Sequence, residues 1–423
     1  MERPNIVLVL TDQQRWDSLG CYGNAFVSTP NVDALASRGT RLDRAFTPYP
    51  VCTPARASMW TGVLPHEHGV IDNVYRVDNA LAERSSVTTT VFDLMREAGY
   101  ECAYFGKWHL GEADPGYFDH YDGFNSQGGH WRDGRKDEVY RPEAQTDACV
   151  DWLRQREDDR PFLMVQSYYP PHNPFTAPTQ FMDYYRDRRV PFPGYYAAVS
   201  ALDSYFGRIV TALEEQGIRE NTAIVYYSDH GETFNYRRDG VHKFVCHEEA
   251  IRVPLVVDWP GQEQVPNSDR MVGLEDLAPT LLDWADARIP DYFRGRSILP
   301  LLTGESVSWR DEYYVQNRTN VSNREQRCLR TDRWKLILSN DGDSELYDLT
   351  DDPEEELNLF ETPRPDVHDQ FKHLPSHDDT VLDLSRRLRR LAADLADDVG
   401  VRLADDTIRA KTEKNRSAAP EVR

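Results

Sequence analysis

The residue types most able to do chemistry meet in Cys52-Thr53-Pro54-Ala55-Arg56. Thr53-Pro54 is a good helix start, with proline in the first turn. Cys52 then stands at the positive end of a helix, among backbone N–H groups that favour an anionic sulfur or oxygen. Arg56, one turn on, faces the same end. Any single cysteine reads first as a small buried hydrophobe, which is our reading of Cys21, Cys102, Cys149, Cys246 and Cys328. No CxxC pair occurs, so neither a disulfide framework nor a zinc ribbon is indicated. A second set, Asp12, Lys107, His109, Asp229 and His230, follows directly on apolar runs. Asp12 and Asp229 are hard oxygen ligands suited to Ca2+, Mg2+ or Mn2+.

The elements that must position these residues alternate along the chain. Asn5 to Leu10 is a continuous apolar run, as expected of a strand buried on both faces of a parallel sheet. It ends at Thr11-Asp12-Gln13-Gln14. Strands are also expected at Ala103–Phe105, Phe162–Ser167, Ala223–Ser228 and Val253–Asp258. Helices are expected at 29–38, 91–98, 148–156 and 197–216, with Gly39, Gly99 and Gly217 as stops. This alternation predicts a doubly wound α/β sheet, whose ligand site lies outside the carboxyl ends of the strands. Past residue 305, short strands at Tyr313–Gln316, Trp334–Leu338 and Glu345–Leu349, a turn at Asp341-Gly342 and a helix over 380–397 predict a small α+β subdomain. We therefore expect a catalytic α/β domain over 1–304, a C-terminal subdomain over 305–403 and a polar, frayed tail over 404–423.

Cys-x-Pro-x-Arg, continued here by Ala57-Ser58 and Thr61-Gly62, resembles the signature of the type I sulfatases. Further segments match in order: Thr11 to Gln14, Gly106-Lys107-Trp108-His109-Leu110-Gly111, Pro171-His172-Asn173-Pro174-Phe175, and Asp229-His230-Gly231-Glu232. Lys243 with His247-Glu248-Glu249 and Arg252-Val253-Pro254 follows, and then Glu345-Leu346-Tyr347-Asp348-Leu349 with Asp352-Pro353 and Asn358-Leu359. The resemblance spans roughly residues 4–360. It implies an alkaline phosphatase-like fold, with a large mixed, mostly parallel sheet flanked by helices. It also implies hydrolysis of a sulfate monoester to an alcohol and inorganic sulfate. A formylglycine-generating enzyme would convert Cys52 to an aldehyde whose hydrate is the nucleophile. One hydroxyl of that hydrate attacks sulfur, and loss of a proton from the other, with His109 as base, expels sulfate. His172 is the implied acid for the leaving group, and Lys107, His172 and Lys243 the implied substrate ligands. Only seven of 49 basic residues are lysine, so two lysines kept where a point charge would meet a sulfate oxygen favour function over surface decoration. The implied metal set is Asp12, Gln13, Cys52, Asp229 and His230, around one divalent cation. Many members carry an acid where Gln13 stands and Asn where His230 stands. A lost carboxylate and a gained imidazole shift preference from Ca2+ towards Mn2+ or another transition ion. The same pairing resembles phosphonate monoester hydrolases and choline sulfatases, and a phosphonate or phosphate ester hydrolase is the alternative on this scaffold, but phosphonate hydrolases usually lack a Lys-x-His block like Lys107 to His109. An inactive sulfated-ligand binding protein would be expected to have lost Cys52, Lys107 or an Asp ligand, and none is lost.

Other chemistry-bearing residues have plainer readings. His66 and His68 read as a structural loop, and Asn73 stays open between substrate contact and scaffold. His130, Trp131 and the run Arg132 to Lys136 read as a solvated loop rather than a substrate-selecting lid. His242 and His247 flank Lys243 at the pocket edge, and His368, His373 and His377 belong to a polar linker.

The net charge of −22 over 423 residues argues against nucleic acid and anionic membranes as partners. It leaves a small-molecule or carbohydrate sulfate ester, held by local cations. With no signal peptide and no apolar run near membrane length, a cytoplasmic protein is expected. The acid-rich, lysine-poor balance fits a salt-adapted organism or an arginine-rich codon bias. Oligomeric state is not legible.

Overall fold

The computed structural model describes residues 3–126, 129–132, 139–237, 242–319, 323–361 and 375–418. The chain divides into two compact units, Met1–Lys243 with Glu249–Trp309, and Phe244–Glu248 with Arg310–Arg423.

The first unit is built on β1 (Asn5–Asp12), β2 (Thr40–Phe46), β3 (Glu101–Lys107), β4 (His120–Phe124), the short pair β5 (Trp131–Arg132) and β6 (Val139–Tyr140), β7 (Phe162–Pro171), β8 (Thr222–Ser228), β9 (Arg252–Val253), β10 (Leu255–Asp258) and β11 (Asn267–Gly273). Apart from the β5–β6 pair, these make a nine-stranded sheet in the order β11-β2-β10-β8-β1-β7-β3-β4, with β9 beside β2. Strands β8, β1, β7, β3 and β4 run parallel, and β10 is antiparallel to its neighbours β8 and β2. The sheet is thus mixed and mostly parallel, with helices on both faces. Every residue of β1 is buried. Ile6, Leu8 and Leu10 enter one core with Met59, Trp60 and Phe92, while Val7 and Val9 enter the other with Met164, Val199 and Phe206. Two-sided burial explains why β1 reads as an unbroken apolar run.

The helices Arg141–Gln155 and Pro193–Glu215 begin earlier than expected. Each has proline in its first turn, a start signal that the apolar period alone misses. Strands β2, β4 and β11 are also unforeseen; their half-exposed faces interrupt the apolar pattern.

The second unit holds an antiparallel sheet of β12 (Glu312–Thr319), β13 (Arg324–Thr331), β14 (Trp334–Ser339) and β15 (Glu345–Asp348), in that order. Gly342, at φ 85°, makes the expected turn between β14 and β15. Two helices follow, Asp378–Asp394 and Asp398–Ala418. The expectation of a frayed tail from 404 is therefore corrected up to residue 418; the last five residues lie outside the described ones. Leu403, Ala404 and Lys411 are buried, and Lys411 Nζ donates to Asp378 Oδ1 and the Phe360 carbonyl, each at 2.6 Å. This narrow buried stripe is hidden in a composition that reads as polar.

Candidate active site

The parallel strands β8, β1, β7 and β3 end on one edge of the sheet, and each delivers a functional group there. Asp12 closes β1, Lys107 closes β3, His172 follows β7, and Asp229 with His230 follows β8. Strand β2 runs the same way as β8, because both are antiparallel to β10. Its carboxyl end therefore leads to the same edge and into the helix Cys52–Thr61, every residue of which is buried. Gly106 allows the close approach of β3 to β7: it sits at φ +103°, and a Cβ there would lie 1.9 Å from the Ser167 carbonyl oxygen.

Arg56 ties the edge together from beneath. It donates to Asp12 Oδ2 at 3.1 Å, Asp229 Oδ2 at 2.9 Å, the Lys107 carbonyl at 2.5 Å and Ser167 Oγ at 2.9 Å. Lys107 Nζ is 2.6 Å from the same Asp12 oxygen and 4.0 Å from the centre of the Tyr169 ring. Burial would raise the Asp12 carboxyl, but Lys107, His172, Arg56 and Lys243 together hold it well below the usual carboxylate range. The other Asp12 oxygen faces Cys52 Sγ at 3.5 Å and His230 Nε2 at 3.9 Å.

Lys243 Nζ donates to Cys52 Sγ at 3.1 Å and to Gln13 Oε1 at 2.9 Å, and lies 3.1 Å from His172 Nε2. The Cys52 sulfur occupies the place of the reacting oxygen in a modified residue. Burial and Asp12 would raise its thiol pKa, but Lys107, Lys243 and His230 hold it below the ordinary value. His172 Nδ1 is 2.7 Å from the Asn173 carbonyl, which leaves Nε2 for the site. Burial, and then the Lys243 charge, push its pKa well below the usual imidazole value. His109 is buried, and neither ring nitrogen has a hydrogen-bond partner among the described residues. Burial, and then Lys107, push its pKa well down.

The donor set fits a divalent cation. One ligand atom each from Asp12, Cys52, Asp229 and His230 lies within 4.8 Å of all the others, and all four residues are buried. His230 Nδ1 is 2.9 Å from the Gly231 carbonyl, which fixes Nε2 as the ligand atom. Two carboxylates and an imidazole suit Mn2+, Mg2+ or Ca2+.

All ten residues singled out from the sequence come to this edge, His109 without a side-chain hydrogen bond among the described residues. Asn73 Oδ1 accepts from the Thr53 N–H at 3.2 Å at the start of the helix. His68 is a scaffold residue, bonded to Ser58 Oγ at 3.0 Å. His242 Nδ1 is 2.9 Å from Glu232, whereas His247 is 3.0 Å from Glu345 within the second unit. His130 is buried, with its ring 4.9 Å from that of Tyr169, in place of the expected solvated loop. Residues 133–136 of that run, His368 and His373 lie outside the described residues. Ser167, Tyr169 and Glu232 were given no role from the sequence; Ser167 and Tyr169 stand near the end of β7, and Glu232 closes the segment Asp229-His230-Gly231-Glu232.

The model of the sulfatase family, described as "Sulfatase", matches residues 4–287. The chain belongs to this family. It is a sulfuric ester hydrolase, of a family that works with a divalent metal and a formylglycine. A second model, the C-terminal part of N-sulphoglucosamine sulphohydrolase, matches residues 240–376. An uncharacterized sulfatase of Escherichia coli is 31% identical, over 85% of this chain and 84% of that one. A solved structure holding its substrate, D-glucosamine-2-N,6-O-disulfate, superposes with a TM-score of 0.80 at 22% identity, covering 94% of this chain and 99% of that one. The phosphonate monoester hydrolase of Agrobacterium radiobacter shares the fold with a TM-score of 0.68 at 23% identity, covering 84% of this chain and 91% of that one. Among the described residues no helix is long and apolar enough to cross a membrane.

Proposed function

We propose that this sulfatase releases sulfate from a carbohydrate sulfate ester, with Cys52 converted to formylglycine by a maturation enzyme and a divalent cation held by Asp12, Gln13, Asp229 and His230. The observation that carries this reading is the convergence of the Asp12, Cys52, Asp229 and His230 ligand atoms beside two buried lysines. When present, the aldehyde hydrate supplies the attacking oxygen and the cation lowers the charge on the ester. The chain's own residues do the rest. Lys107 and Lys243 hold sulfate oxygens, where charge must be balanced in a water-poor site. Arg56 holds the two metal-binding carboxylates in place and is itself fully engaged. His172 Nδ1 keeps its proton on the Asn173 carbonyl, so Nε2, which lies 3.1 Å from Lys243 Nζ, takes up a proton before it can pass one to the leaving oxygen. His109 has both ring nitrogens without a hydrogen-bond partner among the described residues, so one is open to accept a proton.

A ring-bearing alcohol is favoured by Tyr75. It is 53% exposed, and its ring lies 5.9 Å from that of His109. An exposed aromatic at a site mouth stacks on a sugar or aryl ring and gains little from a small alkyl chain. Gln13 with His230 favours a competing reading, phosphonate monoester hydrolysis; Lys107 and His109 favour sulfate. The test is a panel of sulfated monosaccharides, aryl and alkyl sulfates, an aryl phosphate and a phosphonate monoester, compared by kcat/KM. The highest value is expected for a sulfated sugar. A preference for the phosphonate would overturn the reading.

A further inference from the structure

Position 13 carries an amide where many sulfatases carry an acid, and its surroundings explain why. The Gln13 side chain is fully buried between two groups of opposite charge. Its Oε1 accepts from Lys243 Nζ at 2.9 Å. Its Nε2 donates to Oε2 of Glu232. Glu232 is also fully buried, and its remaining oxygen, Oε1, accepts from the Phe234 N–H at 2.6 Å and lies 2.9 Å from His242 Nδ1. The carbonyl of Glu232 accepts from Arg15 Nη1 at 3.0 Å, which fixes the backbone that carries it. A carboxylate has only acceptors to offer and an ammonium only donors. The amide between them therefore has one allowed orientation, nitrogen to Glu232 and oxygen to Lys243. A carboxylate at position 13 would face the Glu232 carboxylate in a buried place, which like charges disfavour.

We propose that Glu232 is a positioning residue: it locks the Gln13 amide with its oxygen towards Lys243, so that the Lys243 ammonium is held against position 52. Glu232 acts on the site through Gln13, which the function proposed above also names as a ligand of the cation. The consequence for activity rests on the function proposed above. The orientation itself does not.

The experiment is a charge-swap cycle on the full chain: Gln13→Glu, Glu232→Gln and the double variant. The swap restores a hydrogen-bonded acid–amide pair with its members exchanged. Melting temperatures are read at pH 8 in chelator, and kcat and KM for a sulfate ester with the divalent ion added. Each single variant is expected to melt lower than the parent and to lose at least about ten-fold in kcat, with KM changed less, and the double variant to recover most of both losses. A role for Glu232 in packing alone gives no such recovery. Losses that add in the double variant, or a Glu232→Gln protein indistinguishable from the parent, would overturn the proposal. If the melting cycle couples while the parent cleaves no sulfate ester, the functional reading fails and the Gln13–Glu232 assignment stands.

Discussion

Two buried carboxylates, Asp12 in the first unit and Asp397 in the second, sit among cations in different ways. Asp397 spends both oxygens on the protein. Oδ2 accepts from Tyr314 and Gln316 at 2.7 Å and from Arg327 Nε at 2.5 Å, while Oδ1 accepts from Arg327 Nη2 at 3.1 Å and the Gly400 N–H at 3.3 Å. It stands between the two helices of the unit, directly before Asp398, and has no lone pair to spare for chemistry. Asp12 gives one oxygen to Arg56 and Lys107 and turns the other towards Cys52 and His230. A charged group whose partners all lie on one side is set up to bind or react; one enclosed on both sides holds the fold.

Exchanging each acid for its amide should separate the two roles most sharply. Asp12→Asn is expected to cut kcat/KM for a sulfate ester on the order of a thousand-fold, by removing charge where the cation and Lys107 need it. Asp397→Asn should leave kcat per folded molecule unchanged and cost about 3–5 kcal/mol of stability, because the buried Arg327 loses the carboxylate that meets its Nε and Nη2. Kinetics and denaturant unfolding on both proteins check this. Lys243→Ala is expected to cost on the order of a hundred-fold in kcat, with unfolding little changed. Tyr75→Ala should raise KM for a sulfated sugar by about ten-fold, and for a small alkyl sulfate much less, since a lost stacking contact amounts to about 1 kcal/mol. A smaller effect is expected at Glu345. Burial would raise its carboxyl, but His247 and Tyr347 hold it at about 2, below the usual value. A depressed carboxyl adds stability above its unfolded pKa, near 4.5, and loses it as pH falls towards 2. Glu345→Gln should therefore remove about 1–2 kcal/mol of stability at pH 7 and flatten acid unfolding between pH 4.5 and 2, read by circular dichroism.

The comparison also separates what the sequence shows from what it hides. Asp12, Lys107 and Asp229 are legible because each ends or follows a run buried on both faces, and an α/β sheet gathers such ends at one edge. Cys52 and Arg56 are legible through local helix-start chemistry. Ser167 is not, because its partners come from register: Gly106 pairs with Ser167 across β3 and β7. Glu232 is hidden for a similar reason, since its partner lies 219 residues away in the chain. In the second unit β13 escapes notice because Arg324, Arg327 and Arg330 are buried while their charges are met by distant acids, so that no apolar alternation marks the strand. The helix Asp398–Ala418 is masked by its polar composition.

The central claim is that Asp12, Lys243 and their neighbours serve a modified Cys52. The most direct test is mass spectrometry of the Cys52 peptide, taken from protein made in its native host and shown to release sulfate. The aldehyde form should predominate, with sulfate release rising in proportion to it across preparations. Full activity in protein whose Cys52 is entirely an unmodified thiol would contradict the account.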